Sequence, residues 1–274
     1  MKEFEKHKIA NAALPFIFHN YIFERSFKSG NNWHENIELL CIYEGCAKVV
    51  NNGVIYTLNE GEIAVIDKNA LHFIYSDSAV KYYCLIIDHN FCVENCFNVD
   101  NIHFSPVVKD CELFKLIKKF HIIYSEKEIS CRILELRSLL LQISLILCRR
   151  HAASDKVEYE DTRILFSIKQ VIEKIHNEYN NQLSLDLLSK TAGINRSYLS
   201  RSFHKITGYT VIEYINHTRC ENAKKLLKVD EIKIEEVAHL CGFENPSYFY
   251  RTFSKVTGMR PGEYRKRKMI KNKI

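Results

Sequence analysis

Between Phe16 and Asp88, apolar and β-branched residues come in short runs cut by turn formers. The runs are residues 37–43, 47–50, 54–58, 63–66 and 82–87. The breakers are Asn31-Asn32, Asn51-Asn52-Gly53, Asn59-Glu60-Gly61 and Asp67-Lys68-Asn69. Strands this short, with hairpin punctuation, predict a barrel or sandwich. From Cys111 the period becomes helical and stays so. Helices are predicted over 111–124 and 129–150. In the second, Leu136, Leu139, Leu140, Ile143 and Leu147 form one apolar stripe, which Ile133, Leu141 and Leu145 widen. A stripe that wide needs a partner besides the barrel, unless both faces pack within one chain. Residues 151–160 are polar and read as a linker.

The C-terminal part contains an internal repeat. At an offset of 50, residues 197–214 pair with 247–264, and nine of eighteen positions are identical. Upstream the offset drops to 49, pairing Leu188 with Val237 and Gly193 with Gly242, so the second copy has one extra residue near Pro246. Each copy predicts a helix, a turn at glycine and a second helix: 185–192 and 195–206, then 234–241 and 246–256. At 100° per residue, Leu199, Ser202, Phe203 and Ile206 share the inner face, and Ser197, Ser200, Arg201 and His204 the outer one. The second copy repeats this, with Phe249, Thr252, Phe253 and Val256 inward and Ser247, Tyr250, Arg251 and Ser254 outward. Hydroxyls and arginines at these positions suit guanine edges and phosphates in a major groove. Lys205 and Lys255 lie at the stripe edges, and Asn195, Arg196 and Asn245 at the helix starts. Residues 210–228 predict a connecting helix of roughly 28 Å, near the ~34 Å of one DNA turn, so both outer faces can enter successive grooves of one duplex.

Charge sharpens the division. Lysine and arginine against aspartate and glutamate give −3 for residues 1–160 and +9 for 161–274. A basic piece beside a mildly acidic one fits a two-domain chain with a polyanionic partner such as double-stranded DNA. A solvated basic tail is the plainer alternative, because residues 265–273 hold six of those cations. Ten cysteines show no C-x-x-C pair and no zinc-knuckle spacing, and no leader-like segment opens the chain, so reduced thiols in the cytoplasm are expected. The longest apolar run, 139–147, is interrupted and far short of the roughly 20 residues that span a bilayer, so no membrane segment is expected.

The C-terminal half resembles the AraC/XylS family of bacterial transcription regulators. The residues that carry the likeness begin with Ser197-Tyr198-Leu199-Ser200-Arg201, Phe203, Thr207-Gly208 and Glu213-Tyr214. They continue through Arg219, Ala223, Leu226-Leu227, Ala238 and Gly242-Phe243. They close with Ser247-Tyr248-Phe249, Arg251, Phe253, Thr257-Gly258, Pro261 and Tyr264-Arg265. Departures are His204, Ser254, Tyr250 where a small residue is usual, and Asn195 at a common serine cap, where asparagine still caps well. The resemblance covers about 110 residues. It implies a homodimer, dimerised through the helices before the linker, that acts on RNA polymerase as an activator.

The N-terminal part is similar to a degenerate cupin. Its first motif stands as Asn32-x-His34, then Glu38 and Gly45, with Asn32 where histidine is usual. Its second stands as Gly61, Asp67-x-Asn69 and His72, with Asp67-x-Asn69 where Pro-x-Gly is usual. The likeness implies a small-molecule pocket lined by Asn32, Trp33, His34, Glu38 and His72, with a sugar as the leading effector class. Trp33 and Tyr43 fit either a pocket wall or the core, and the segment before Phe16 is a candidate cover for the barrel mouth. His34, Glu38 and His72 also make a three-ligand metal set, but Asn32 replaces an imidazole and no nucleophile constellation stands out. The expectation is therefore a regulator with no catalytic residue, metal or cofactor. The alternative is a metal-dependent cupin enzyme fused to a DNA-binding module.

The expected architecture is a multidomain α+β chain: an N-terminal all-β cupin-like barrel (1–108), a helical dimerisation segment (109–152), a linker (153–160) and a C-terminal all-α tandem helix-turn-helix domain (161–274).

Overall fold

A computed structural model of the chain describes residues 13–97, 99–126, 130–153, 162–228 and 232–271. Residues 1–12, the candidate cover, and 154–160, most of the expected linker, lie outside the described residues. The chain divides into two compact units, Phe4–Glu160 and Asp161–Ile274.

The first unit opens with β1 (Phe16–Phe23), β2 (Phe27–Lys28), β3 (Ile37–Asn51), β4 (Val54–Asn59), β5 (Ile63–Ile66), β6 (His72–Ser76) and β7 (Val80–Ile87). It continues with α1 (His89–Glu94), β8 (His103–Phe104), β9 (Val107–Val108), α2 (Cys111–Ser125) and α3 (Arg132–Ile146). A π-helical turn, Leu147–His151, extends α3, and β10 (Ala152–Ala153) pairs back with β8. The long β3 belongs to two sheets, all of whose pairings are antiparallel. Its first half lies between β7 and β5 in the order β1-β7-β3-β5-β9, and its second half pairs with β4 and β6, with β2 beyond β6. The hydrogen-bonded path does not close into a ring among the described residues.

Two runs expected as separate strands, 47–50 and the one before it, are thus one strand bent at Gly45. The bend needs glycine: φ is +83°, and a Cβ there would lie 2.6 Å from the Ala79 carbonyl oxygen. Strand alternation then divides β3 between two cores. Ile37, Leu39 and Cys41 face α2 and α3, joining Leu85, Phe120, Leu136 and Leu140. Leu40 and Ile42 face the opposite way, joining Val49, Leu58 and Ile74 between the two sheets. Each such side chain contributes about 1.5–3 kcal/mol by burial. The helices before the linker are therefore built into the core of the β-sheet rather than standing apart from it.

The second unit is helical: α4 (Thr162–Glu178), α5 (Leu185–Ala192), α6 (Arg196–Thr207), α7 (Val211–Leu226), α8 (Ile234–Leu240), α9 (Pro246–Thr257) and α10 (Pro261–Lys271). The pairs α5–α6 and α8–α9 are the two expected helix-turn-helix copies. Asn195 caps α6 by accepting the Tyr198 N–H at 2.9 Å, and Asn245 caps α9 by accepting those of Ser247 and Tyr248. Thr210 and Glu213 form a capping box at the start of α7. That helix has 16 residues, about 24 Å, somewhat shorter than the sequence suggested. It packs on α4, α6, α8 and α9. The stretch expected to be tail-like forms α10 as far as Lys271.

Candidate nucleic-acid interface and effector pocket

Leu199, Phe203 and Ile206 of α6 are buried, as are Phe249 and Phe253 of α9. With these anchors inside, Ser197, Ser200, Arg201, His204 and Lys205 are exposed on α6, and Ser247, Arg251 and Lys255 on α9. Asn195, Arg196 and Asn245 are exposed at the helix starts. Arg196 also reaches Asp186 of α5 at 3.2 Å. Neither Arg201 nor Arg251 enters an ion pair among the described residues. Their cationic heads therefore carry no intramolecular commitment.

Ser254 and Tyr250 are half-buried rather than fully outward. The Tyr250 ring lies edge-on to Phe249, and its hydroxyl donates to Glu235 of α8 at 3.4 Å. A large aromatic at a helix edge is drawn onto nearby apolar surface, which helical angle alone does not register.

The two copies are fixed to one frame by Arg219 of α7. Its Nε donates to the Tyr179 carbonyl at 2.7 Å and a terminal nitrogen donates to that of Asn181 at 2.9 Å. Its guanidinium lies over the Phe243 ring. Gly242 meets the same segment: its φ is +82°, and a Cβ would fall 2.8 Å from the Asn180 backbone.

In the first unit, a cavity of about 290 Å³ opens between the two sheets. Asn32, Glu38 and His72 line it as expected; Trp33 and His34 do not. Trp33 is buried in the interior, and His34 stands behind Glu38. Most of the wall comes from residues the motif comparison passed over. His19, Tyr21 and Phe23 of β1, Phe27 of β2, and Tyr82 and Cys84 of β7 face the cavity. The signal for them is strand alternation, since each group is spaced by two. Phe23 and Phe27 stack at 3.8 Å, and both stack loosely on Tyr82. The cavity thus has an aromatic wall and a polar floor.

On that floor, Glu38 Oε2 lies 2.9 Å from His34 Nε2 and 3.0 Å from His72 Nε2. The Cys84 thiol donates to Oε1 at 3.2 Å. All three members of the trio are buried. Burial pushes the Glu38 carboxyl up, but His72 and His34 outweigh it and hold it well below the usual range. Each histidine is oriented through its other nitrogen. His34 Nδ1 donates to the Asn36 carbonyl at 3.0 Å and His72 Nδ1 to that of Ala70 at 2.9 Å.

The outer side of α3 is apolar. Leu134, Leu141 and Leu145 are exposed, as is Ile133. The three leucines lie within about 40° of one another around the helix.

Comparison with known proteins agrees in both halves. Residues 21–144 match the AraC-like ligand binding domain, and residues 188–267 match a helix-turn-helix domain. Over 250 residues the chain is 24% identical to the uncharacterized HTH-type transcriptional regulator YdeC of Bacillus subtilis (strain 168), covering 86% of this chain and 85% of the relative. It is 42% identical over 92 residues to the uncharacterized HTH-type transcriptional regulator YijO of Escherichia coli (strain K12), covering 34% of this chain and 32% of the relative. It is 32% identical over 130 residues to the HTH-type transcriptional activator RhaR of Yersinia pestis bv. Antiqua (strain Angola), covering 47% of this chain and 44% of the relative. A ligand-binding domain followed by a paired helix-turn-helix domain defines a ligand-responsive transcription regulator. The chain belongs to the AraC family of such DNA-binding regulators.

Proposed function

We propose that the chain is a homodimeric, sequence-specific transcriptional activator of the cytoplasm whose effector, a polar and sugar-like small molecule, binds in the cavity between the two sheets. The observation that carries the DNA-binding part is the matched exposure of Arg201 and Arg251 on the two recognition helices of one unit with a net charge of +9. Arg201 and Arg251 read base edges, flanked by Ser197, Ser200, His204, Ser247, Tyr250 and Ser254, while Lys205, Lys255, Arg196, Asn195 and Asn245 hold phosphates. The unequal side chains of the two helices give each subunit an asymmetric site.

An aromatic wall over a polar floor supports a sugar-like effector, because rings cover the apolar faces of a sugar while buried polar groups take its hydroxyls. The exposed leucines of α3 support pairing with a second copy. RhaR's printed role as an activator supports activation, which involves RNA polymerase as partner. Among the described residues no helix is long and apolar enough to cross a membrane. Selection of bound fragments from the source genome, followed by melting-point screening with sugars, tests the reading. An effector that binds the folded protein must raise its melting point.

A second reading, a metal-dependent enzyme joined to a DNA-binding module, is favoured by the His34–Glu38–His72 cluster alone. Product formation by metal-loaded protein, lost in Glu38→Gln, separates it from the first.

A further inference from the structure

We propose that His34, Glu38 and His72 bind a divalent first-row transition metal ion on the floor of the cavity, with coordination positions left open toward the cavity for an oxygen-donor effector. This deepens the effector-pocket reading, and rests on it for the role of the ion.

The argument starts from proton placement. A backbone carbonyl only accepts, so Nδ1 of His34 and Nδ1 of His72 must each carry a proton. A neutral ring protonated at Nδ1 has a bare lone pair at Nε2. Both Nε2 atoms nevertheless point at one oxygen, Glu38 Oε2, at 2.9 and 3.0 Å. Two nitrogen lone pairs and an anionic oxygen are not complementary to each other. They are complementary to a cation held among them. Orientation of a histidine ligand through an Nδ1–H to a carbonyl is the arrangement that fixes Nε2 for metal binding.

Spacing agrees. Donors at about 2.1 Å from one ion sit about 3 Å apart on adjacent octahedral positions. The three donor atoms lie within 4.8 Å of one another, with both Glu38 contacts near that edge. Two imidazoles and one carboxylate favour ions such as Fe²⁺, Mn²⁺, Co²⁺ or Zn²⁺ over the oxygen-seeking Mg²⁺ and Ca²⁺. The site also joins separate pieces of chain, since Glu38 lies on β3, His72 on β6 and His34 ahead of β3. Glu38 and His72 line the cavity, whereas His34 approaches from behind, so the remaining positions of the ion face the space an effector enters.

The test uses the full chain, stripped with a chelator and titrated with Co²⁺ alone. The expected result is one Co²⁺ per chain, a visible d–d absorption band and a raised melting point. Glu38→Gln keeps the shape of the side chain and is expected to weaken Co²⁺ binding at least 10-fold, with its far-UV spectrum unchanged. His72→Ala is the second variant, and should abolish the band. Adding acetohydroxamate, a small two-oxygen chelator, should shift the band of the loaded protein.

Absence of stoichiometric Co²⁺, or binding undiminished in both variants, overturns the site. A band unmoved by acetohydroxamate overturns its opening toward the cavity. Failure of the regulator reading is seen separately, as loss of sequence preference in duplex binding by the same preparation.

Discussion

Arg219 of α7 donates to the carbonyl oxygen of Tyr179, 2.7 Å away, just past the end of α4. Asn181 accepts a second bond from the same guanidinium, and Gly242 packs its bare Cα against Asn180 between them. One cation therefore anchors the connecting helix to α4 and to the turn of the second copy. Replacing Arg219 with Ala removes two bonds to a charged donor, a loss of about 1.5–3 kcal/mol each before relaxation. Gly242→Ala forces a Cβ into the Asn180 backbone at positive φ and should cost about 1–3 kcal/mol. Denaturant melts of the C-terminal transition check both. Unchanged midpoints would remove Arg219 from its role as the tie.

The recognition arginines should act independently. Arg201→Ala and Arg251→Ala are each expected to cost about 1–3 kcal/mol in specific binding and to relax preference over separate halves of the site. Binding to a panel of single-base variants reads this out. If both substitutions relax the same bases, the assignment of one groove to each helix is wrong.

Dimerisation is expected to depend on α3. Leu134, Leu141 and Leu145 are exposed on one strip of the helix, so changing them disturbs no protomer core. A Leu134→Glu, Leu141→Glu double variant should sediment as a monomer with its melting profile otherwise kept, while the parent chain sediments as a dimer. A double variant that still sediments as a dimer places the interface elsewhere.

Acid should loosen the join between α2 and the turn after α3. Burial pushes the Asp110 carboxyl up, but the Leu113 amide, His151, the Glu112 amide and Arg150 together hold it at about 2. Its unfolded value is about 3.9, so the carboxylate stabilises the fold fully above pH ~4, and that contribution fades as pH falls through about 2. Asp110→Asn keeps the helix cap but not the charge. It should lower the urea midpoint at pH 6 and leave it equal to the parent chain near pH 2. A constant difference across that range would show that the charge is not the cause.

Much of this was legible in the residues because the signals were periodic. The repeat at offset 50 located both helix-turn-helix copies, and the 3.6-residue period assigned Leu199, Phe203, Phe249 and Phe253 to the interior, where they lie. What escaped had weaker punctuation. Strand β1 has no turn former between Phe16 and Phe23 and its residues are mixed in polarity, because one side packs on α2 and the other lines the cavity. The helix α4 and the helical part of the basic tail carried no motif to draw attention to them. His34, Glu38 and His72 were picked out by spacing alone, yet the spacing does not disclose that both imidazoles converge on a single carboxylate oxygen. That depends on how β3 and β6 pair, a contact between residues far apart in the chain.

The central claim is that this chain reads DNA sequence through two unequal basic helices. Fluorescence-anisotropy titration of the full chain against a genome-selected fragment and a shuffled duplex, repeated at rising salt, tests it most directly. The account predicts at least ~10³-fold preference for the selected fragment and a logarithm of affinity that falls linearly with the logarithm of salt concentration. Equal affinity for the two duplexes, or an affinity indifferent to salt, would contradict it.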